Sequence, residues 1–361
     1  MTIYHISHKA TDNLIEAIRS IPAGTSHLIM QLIDDNGQII SSVNTLTRAF
    51  FMLPPHIKRV DLRDNNLGKR PKHELMKIFS AFPATVIHLD LRRNSLDELS
   101  GLGLMNVLSV LSPFLLTLNL SGNRLGNKTG ADLGKIFSRL PCKLKTLDLS
   151  WNDLHHNTAF ELTAAFSLLP SHLISLNLNN NSLYLLKFFD QSTEYALPLF
   201  PPKITTLSLA SNGFGFKKPA DLMKDFSMMS QSIKTIDLQH NNFGLMSPAE
   251  LKDTLSALRI HSVNLQHNML FEEKKSACSK DDCLSALPKH ICFNLRYNGE
   301  TDATRAMLPF ITLVKNTTSF SFELMHHCLS YLNPKIKPLT VIAQYNKYMQ
   351  KALKKDCATR I

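Results

Sequence analysis

The chain has 361 residues, of which 44% are hydrophobic and 19% are charged, and its formal net charge is +11. This composition is typical of a folded soluble protein, and no apolar run of 18 or more residues indicates a membrane-spanning helix. The basic residues are spread along the chain without a recognisable nucleic-acid motif. Their excess therefore suits an acidic protein partner or an anionic surface rather than nucleic acid.

The first segment predicts a capping helix rather than a targeting signal. Residues 11–21, TDNLIEAIRSI, read as a helix with Thr11 or Asp12 as its N-cap. The first 17 residues lack the long apolar segment of a secretory signal. We therefore assign residues 1–27 to an N-terminal cap helix and expect a cytoplasmic protein with reduced cysteines.

One short pattern, apolar-x-x-apolar-x-apolar-x-x-Asn, then recurs along the chain. Its period is 29 residues in most steps, and a segment from Leu28 to Ile33 forms a degenerate first copy. The asparagines are Asn36, Asn65, Asn94, Asn123, Asn152, Asn181, Asn212, Asn241, Asn268 and Asn298. A fixed period of this length indicates a solenoid whose units pack only against their neighbours.

The first half of each unit predicts a short strand and a turn. Val60 and Leu62 alternate with Arg59, Asp61 and Arg63, so one face of the strand is buried. The asparagine that follows ends the strand and is expected to bond backbone groups left unpaired in the turn. Eight of these side chains should form a structural ladder: Asn65, Asn94, Asn123, Asn152, Asn181, Asn212, Asn241 and Asn268.

The second half of each unit predicts a helix. Apolar residues recur 10, 14 and 17 positions after the asparagine, as in Leu133, Phe137 and Leu140, and this spacing places them on one helix face. A proline follows in four units and is expected to end the helix. Parallel strands lie about 4.8 Å apart whereas helices need roughly 8–10 Å. The stack should therefore curve into a horseshoe with the strands on its concave side.

The segment from Leu147 to Leu154, LDLSWNDL, resembles the leucine-rich repeat, and the period with true helices resembles its ribonuclease-inhibitor-like class. This resemblance covers about residues 28–298 and implies an α/β solenoid, with repeats over residues 28–300. Helices that end in Phe-Ser-x-x-Pro, together with a Lys- and Asn-rich surface, look like the leucine-rich-repeat effectors of Legionella. That second resemblance implies type IV secretion into the cytosol of a host cell.

Two regions depart from the repeat. Between Asn181 and Asn212 the apolar stripe fails at Gln191, which predicts a distorted or shortened convex helix. This irregularity is either a local contact loop or a tolerated two-residue insertion. Residues 301–361 abandon the repeat and predict two or three helices, roughly at 302–316, 319–332 and 339–355, that cap the open end of the core.

Outward-facing strand residues change in character along the predicted concave face. Its N-terminal end pairs acids with arginines, its middle is small and neutral around the single Trp151, and its C-terminal end carries His and Tyr. Trp, Tyr and Arg are the residues that most often anchor interfaces. Trp151 could alternatively pack flat on neighbouring turns. We predict partner contacts from Arg63, Arg92, Arg93, Trp151, Asn179, Gln239, His240, Gln266, His267, Arg296 and Tyr297.

No motif predicts a metal, a cofactor or a catalytic residue. Cys278 and Cys283 fall on the predicted convex side and Cys292 on the concave side, and their spacing matches no strong zinc template. His327 and Cys328 are sequence neighbours, which point in different directions on a helix. Glycine-rich phosphate-binding loops are also absent from the sequence.

These patterns predict a monomeric, non-catalytic scaffold that binds a partner protein on its concave face. One alternative is an enzyme or adaptor whose C-terminal helices, with Cys328 and Cys357, recruit ubiquitin or membrane machinery while the repeats select a substrate. Another is a protein held to an anionic membrane surface by its basic patches.

Overall fold

The structure is a computed structural model, and it describes residues 2–7, 13–34, 41–186, 200–201, 203–270, 287–295 and 298. The irregular helix expected between Asn181 and Asn212 falls on residues 187–199, outside the described residues. The helical region expected at 301–361 lies outside them as well.

The described strands form one open, parallel sheet in which each strand pairs with the next along the chain. The predicted fold class, an α/β solenoid with a concave parallel sheet and convex helices, is thereby confirmed. The strands are β1 (Thr2–Ile6), β2 (Thr25–Met30), β3 (Arg59–Asp61), β4 (His88–Asp90), β5 (Thr117–Asn119), β6 (Thr146–Asp148), β7 (Ser175–Asn177), β8 (Thr206–Ser208), β9 (Thr235–Asp237), β10 (Ser262–Asn264) and β11 (Cys292–Asn294).

Helices connect most neighbouring strands and cover the convex side. They are α1 (Leu14–Arg19), α2 (Val43–Phe51), α3 (Lys72–Ser80), α4 (Gly101–Ser109), α5 (Gly130–Phe137), α6 (Ala159–Phe166), α7 (Pro219–Ser227) and α8 (Pro248–Ser256). Side-chain hydrogen bonds fix the first residue of two of these helices. Thr158 and Glu161 form a reciprocal capping box at the start of α6, and Ser247 and Glu250 form one at α8.

The hydrophobic core runs between the sheet and the helices as one continuous cluster. Strand positions such as Val60, Leu89 and Leu118 lie opposite one another in neighbouring strands, and each is almost fully buried. The helix positions 10 and 14 residues after the asparagine, such as Leu133 and Phe137, are also buried. Alternation within strands and the four-residue helical spacing together fill the core, as the sequence predicts.

The third residue of each apolar trio does not belong to the helix. Helix α2 ends at Phe51 and α5 ends at Phe137, so Leu53 and Leu140 lie in the return loops. Both residues are nevertheless buried, because the loop turns back over the core before the next strand. The proline that follows therefore marks the loop rather than the last turn of the helix.

The N-terminal region contains more than the expected cap helix. Strand β1 precedes the helix, and β2 begins at Thr25, three residues before the degenerate strand predicted at Leu28–Ile33. Helix α1 is shorter than residues 11–21 because it starts after Asn13, which is its N-cap in place of Thr11 or Asp12. The asparagine side chain makes no capping hydrogen bond.

Candidate functional site: the concave face and its rim

The asparagine ladder supports the edge of the concave face. Asn152 Oδ1 accepts hydrogen bonds from the backbone N–H groups of Asn123 and Leu125 at 3.0 and 3.1 Å. Its Nδ2 donates to the carbonyl oxygens of Leu120 and Ser150. Equivalent links join the other ladder residues, from Asn65 to Asn268, and continue to Asn298. All of these side chains are fully buried, so they build the scaffold and are not available to a partner.

Residues that face the concave side form three columns, which we number from the start of the strand. The second column begins Asp61, Asp90 and Asn119. In most described repeats its side-chain oxygen accepts the backbone N–H of the residue two positions later, as Asn119 does from Ser121 at 2.9 Å. Asp61 in this column is only 1% exposed. The side chains of this column therefore satisfy backbone N–H groups that lie just beyond the strand ends.

Arginines of the third column pair with these acids at the N-terminal end. Arg63 forms an ion pair with Asp61, and its Nε donates to the same carboxylate at 2.7 Å. Arg92 contacts Asp90 in the same way at 2.9 Å. The hydrogen bond from Arg63 to Asp61 raises the pKa of the arginine, whereas burial raises the pKa of Asp90. Both arginines remain about one third exposed, so each presents a partly neutralised guanidinium to a partner.

The residue just before each ladder asparagine forms the rim of the concave face, and its backbone is left-handed throughout. The rim residues are Asp64, Arg93, Gly122, Trp151, Asn180, Ser211, His240 and His267, with φ between 52° and 68°. Only one of them is glycine. Because other residues adopt this conformation at an energetic cost, the rim is strained wherever it carries a residue other than glycine.

Trp151 is the largest apolar group on this rim. Its φ is 57° and it is 62% exposed. Most of the surface of this residue is therefore open to a partner. Arg93 lies two repeats away, and its Cγ is 3.0 Å from the place that a Cβ of Gly122 would occupy. The arginine side chain therefore extends along the rim over Gly122.

Histidines replace the tryptophan at the C-terminal end of the rim. The rings of His240 and His267 stack with centroids 4.3 Å apart and an angle of 5° between their planes. Gln239 Nε2 donates to Asp237 at 3.1 Å, and burial raises the pKa of that aspartate. Gln266 lies in the third column and is half-buried. The predicted contact residues Arg296 and Tyr297 lie outside the described residues.

Asn179 occupies the centre of the third column and is engaged within the sheet. Its Oδ1 accepts hydrogen bonds from the Ser208 hydroxyl and the Ala210 backbone N–H, both at 2.7 Å. Ser208 lies in the second column, where its side chain is too short to accept a hydrogen bond from the backbone N–H of Ala210. The asparagine therefore compensates for a repeat that lacks Asp or Asn in the second column.

The first column contains residues that the sequence analysis did not single out. His27, Arg59 and His88 lie opposite one another on β2, β3 and β4. Burial and the neighbouring Arg59 lower the pKa values of both histidines. The sequence does indicate Arg59, which is the first residue of the alternating strand pattern. It does not indicate His27, because the repeat pattern starts that strand at Leu28 and so leaves His27 outside it.

The described residues include no group of three or more His, Cys, Asp or Glu residues placed to hold a metal ion. Cys292 lies on the concave strand β11, as expected. The other cysteines considered for chemistry, Cys278, Cys283, Cys328 and Cys357, lie outside the described residues. In the described part of the chain no helix is both long and apolar enough to span a membrane.

Comparisons with known proteins agree with this architecture. A family model described as leucine-rich repeat matches residues 111–132 and 141–155. The leucine-rich-repeat-containing protein LegL7 of Legionella pneumophila has a similar structure, with 24% identity, a TM-score of 0.68, and coverage of 89% of this chain and 99% of that chain. No curated protein matches the chain significantly.

Two other solved structures match less well. A chain of the yeast Rad7–Elc1 complex gives a TM-score of 0.40 at 13% identity, covering 76% of this chain and 72% of that one. Human 5T4, a trophoblast glycoprotein, gives a TM-score of 0.33 at 25% identity, and the match covers 60% of this chain and 71% of that one. The repeated strand motif, the parallel sheet with its asparagine ladder and the matching family model together show that the chain has the leucine-rich-repeat solenoid fold.

Proposed function

We propose that the protein is a non-catalytic, monomeric scaffold that binds a partner protein on its concave face. The observation that carries this proposal is the exposed indole of Trp151 on a strained rim. A left-handed backbone costs roughly 1–2 kcal/mol for a residue other than glycine. This conformation belongs to the repeat turn, since it recurs in the other described repeats, but the exposed aromatic ring that Trp151 carries there adds nothing to the core and is open to a partner.

Arginine and histidine side chains extend the surface on either side of Trp151. Arg93 is exposed toward the N-terminal end, and His240 is exposed toward the C-terminal end. Interfaces are enriched in Trp, Tyr and Arg near their centres. With the net charge of +11, these residues favour a partner whose surface is acidic. The scaffold needs no cofactor and no metal in this proposal.

The second part of the proposal is that the chain is a bacterial effector that acts on a protein in the host cytosol. It rests on the sequence resemblance to Legionella effectors, whose helices end in Phe-Ser-x-x-Pro as α3, α5 and α6 do. The similarity to LegL7 supports the fold alone. A translocation reporter fused to the chain should reach host cells from Legionella with an intact type IV secretion system, and should fail to do so from a secretion mutant.

A capture experiment tests the binding surface. Replacing Arg92, Trp151 and His240 together by alanine should abolish capture of a partner from eukaryotic lysate and leave thermal unfolding unchanged. The matched control replaces Arg139, Phe160 and His172, which are exposed residues outside the concave face. Capture that survives the concave-face variant, or that is lost equally in the control, would show that this surface is not the binding site.

A further inference from the structure

The first concave column differs sharply between its two ends. Its N-terminal end carries His27, Arg59 and His88 in register on three adjacent strands. The following strands hold only small residues there: Thr117, Thr146, Ser175, Thr206, Thr235, Ser262 and Cys292. The bulky nitrogen-bearing side chains are therefore confined to one short row, which we call the Arg59 row.

Hydrogen bonding within the Arg59 row is incomplete. Three buried nitrogens, His27 Nε2, Arg59 Nε and His88 Nδ1, have no hydrogen-bond partner in the described structure. His27 is 9% exposed, and its Nε2 lies 4.0 Å from Asp61, beyond hydrogen-bond distance. A buried polar group without a partner is unfavourable, so a row of three indicates a surface that a ligand completes.

The charge of Arg59 is also unmatched. The acids of the second column on β3 and β4, Asp61 and Asp90, are each held by an arginine of their own repeat, Arg63 and Arg92. Arg59 is half-buried and forms no ion pair with any described residue. Among the described residues, the concave surface at this end thus presents Arg59 as a cation without an ion-pair partner.

The surroundings decide which anion fits. A phosphate-rich ligand such as nucleic acid gains affinity by neutralising several phosphates with several free cations, and here Asp61 and Asp90 would repel it. The concave side of a curved sheet also cannot lie against a flat membrane. A single carboxylate matches the planar guanidinium and brings one negative charge near the two acids, where a run of phosphates brings several.

From this geometry we infer that Arg59, between His27 and His88, is the subsite that receives a Glu or Asp carboxylate of an acidic partner protein. The inference rests on the proposed concave-face function and names the chemistry of one contact within it. Binding is coupled to proton uptake, because the arriving negative charge opposes the effect of Arg59 on both imidazoles.

The sign of the coupling follows from the charges around the row. In the free protein, burial and Arg59 hold both histidine pKa values below 6.5. A bound carboxylate raises these pKa values, so the complex takes up protons and affinity increases as the pH falls from 8 to 6. The charged and titratable groups that surround the imidazoles are His5, Arg59, Asp61, Arg63, Asp90 and Arg92.

Fluorescence anisotropy with a labelled decaglutamate peptide, at low salt and at pH 6 and pH 8, tests the subsite on the full chain. Arg59→Gln should weaken binding by about tenfold or more, the range of a lost charge-assisted hydrogen bond. Arg139→Gln, at an exposed site away from the concave face, removes the same charge and should change affinity less than about twofold. A similar loss in both variants would overturn the subsite, because it would reflect net charge alone.

Three further readouts separate the possible failures. The double variant His27→Gln/His88→Gln should lose the pH dependence yet keep the affinity at pH 8, and an unchanged pH dependence would contradict the proton coupling. Inorganic phosphate should compete poorly with the peptide, and strong competition would overturn the carboxylate assignment.

If partner capture survives Arg59→Gln but not the triple concave-face variant, the subsite is wrong and the scaffold proposal stands. If capture survives both, the scaffold proposal itself fails.

Discussion

The backbone N–H of Gly126 donates to the carbonyl oxygen of Asn152 in the next repeat at 2.7 Å, and this contact leaves no room for a side chain. A Cβ added at Gly126 would overlap the backbone carbonyl of Asp153. Equivalent glycines, Gly68, Gly215 and Gly244, make the same approach in other repeats. Tyr184 occupies this position in another repeat, and there the same backbone hydrogen bond is longer, at 3.2 Å. The closest stacking of neighbouring turns is therefore found where the position is glycine.

Gly126→Ala should consequently destabilise the protein by about 1–3 kcal/mol, because the obstacle is backbone that cannot move aside as a flexible side chain would. Urea denaturation measures the change. Gly24→Ala is the matched control, since the nearest atom to its added Cβ is Thr2 Oγ1 at 3.9 Å, an ordinary contact. Equal stability of the two variants would contradict the role assigned to the close approach.

Asn152→Ala should be more damaging. The substitution removes both hydrogen bonds accepted from Asn123 and Leu125 and both bonds donated to Leu120 and Ser150, in a fully buried site. Orphaned buried backbone groups cost about 1–3 kcal/mol each, so we expect a loss of at least about 3 kcal/mol in the free energy of unfolding.

The control for this prediction is Asn127→Ala. Asn127 is exposed, and among the described residues its side chain bonds Asp97 alone, at 3.1 Å. Its replacement should change the denaturation midpoint little. A loss of stability as large as that of Asn152→Ala would mean that the ladder is not what distinguishes the two positions.

Much of the fold could be predicted because its determinants are periodic. The alternation around Val60 and Leu62 specifies the strand, and the ladder asparagines specify the turn. Strand β1 could not be predicted this way, because Thr2–Ile6 lies before the first repeat and carries no asparagine. The early start of β2 could not be predicted either, because the degenerate first copy of the repeat does not fix which residue begins the strand.

The surface was harder to predict than the core. Alternation places Arg63, Arg92 and Asn179 on the concave side, but it does not show that each bonds a neighbour there. The left-handed backbone of the rim could not be predicted either, because Trp151 and Arg93 are not residues that usually indicate positive φ. The Arg59 row required the strand register, which pairs residues 29 or more positions apart.

Trp151→Gly should separate stability from binding. Glycine adopts φ of 57° without strain, and the indole is 62% exposed, so the variant should be equally stable or more stable by up to about 1 kcal/mol. Partner capture should nevertheless fall strongly. Ser211→Gly, at a rim position with φ of 55°, should change stability similarly and leave capture intact. A large loss of stability in Trp151→Gly would show that the indole contributes to the scaffold instead.

Asp237→Asn should raise stability at neutral pH by about 0.5 kcal/mol, a value kept small because the site is partly solvated. Burial raises the pKa of Asp237 above its ordinary value of 3.8. The folded state therefore holds its proton at a pH where the unfolded state has lost it, and the ionised carboxylate destabilises the fold at pH 7. This penalty disappears as the pH falls through the raised pKa toward 3.8. Asn264 occupies the same column and accepts the equivalent backbone hydrogen bond through its Oδ1. The Gln239 amide and the Ser208 hydroxyl, which donate to the other oxygen of Asp237, can each rotate to accept from the new NH2 group.

Denaturation midpoints measured from pH 7 down to pH 4 check this prediction, and the gap between Asp237→Asn and the parent protein should narrow as the pH falls. The contrasting variant is Asp61→Asn, which should lose about 1–3 kcal/mol at pH 7, because Asp61 is 1% exposed and its charge holds Arg63. A stabilising Asp61→Asn would show that the N-terminal ion pairs are retained for binding rather than for the fold, whereas a destabilising Asp237→Asn would show that the hydrogen bonds to its carboxylate outweigh the cost of burying the charge.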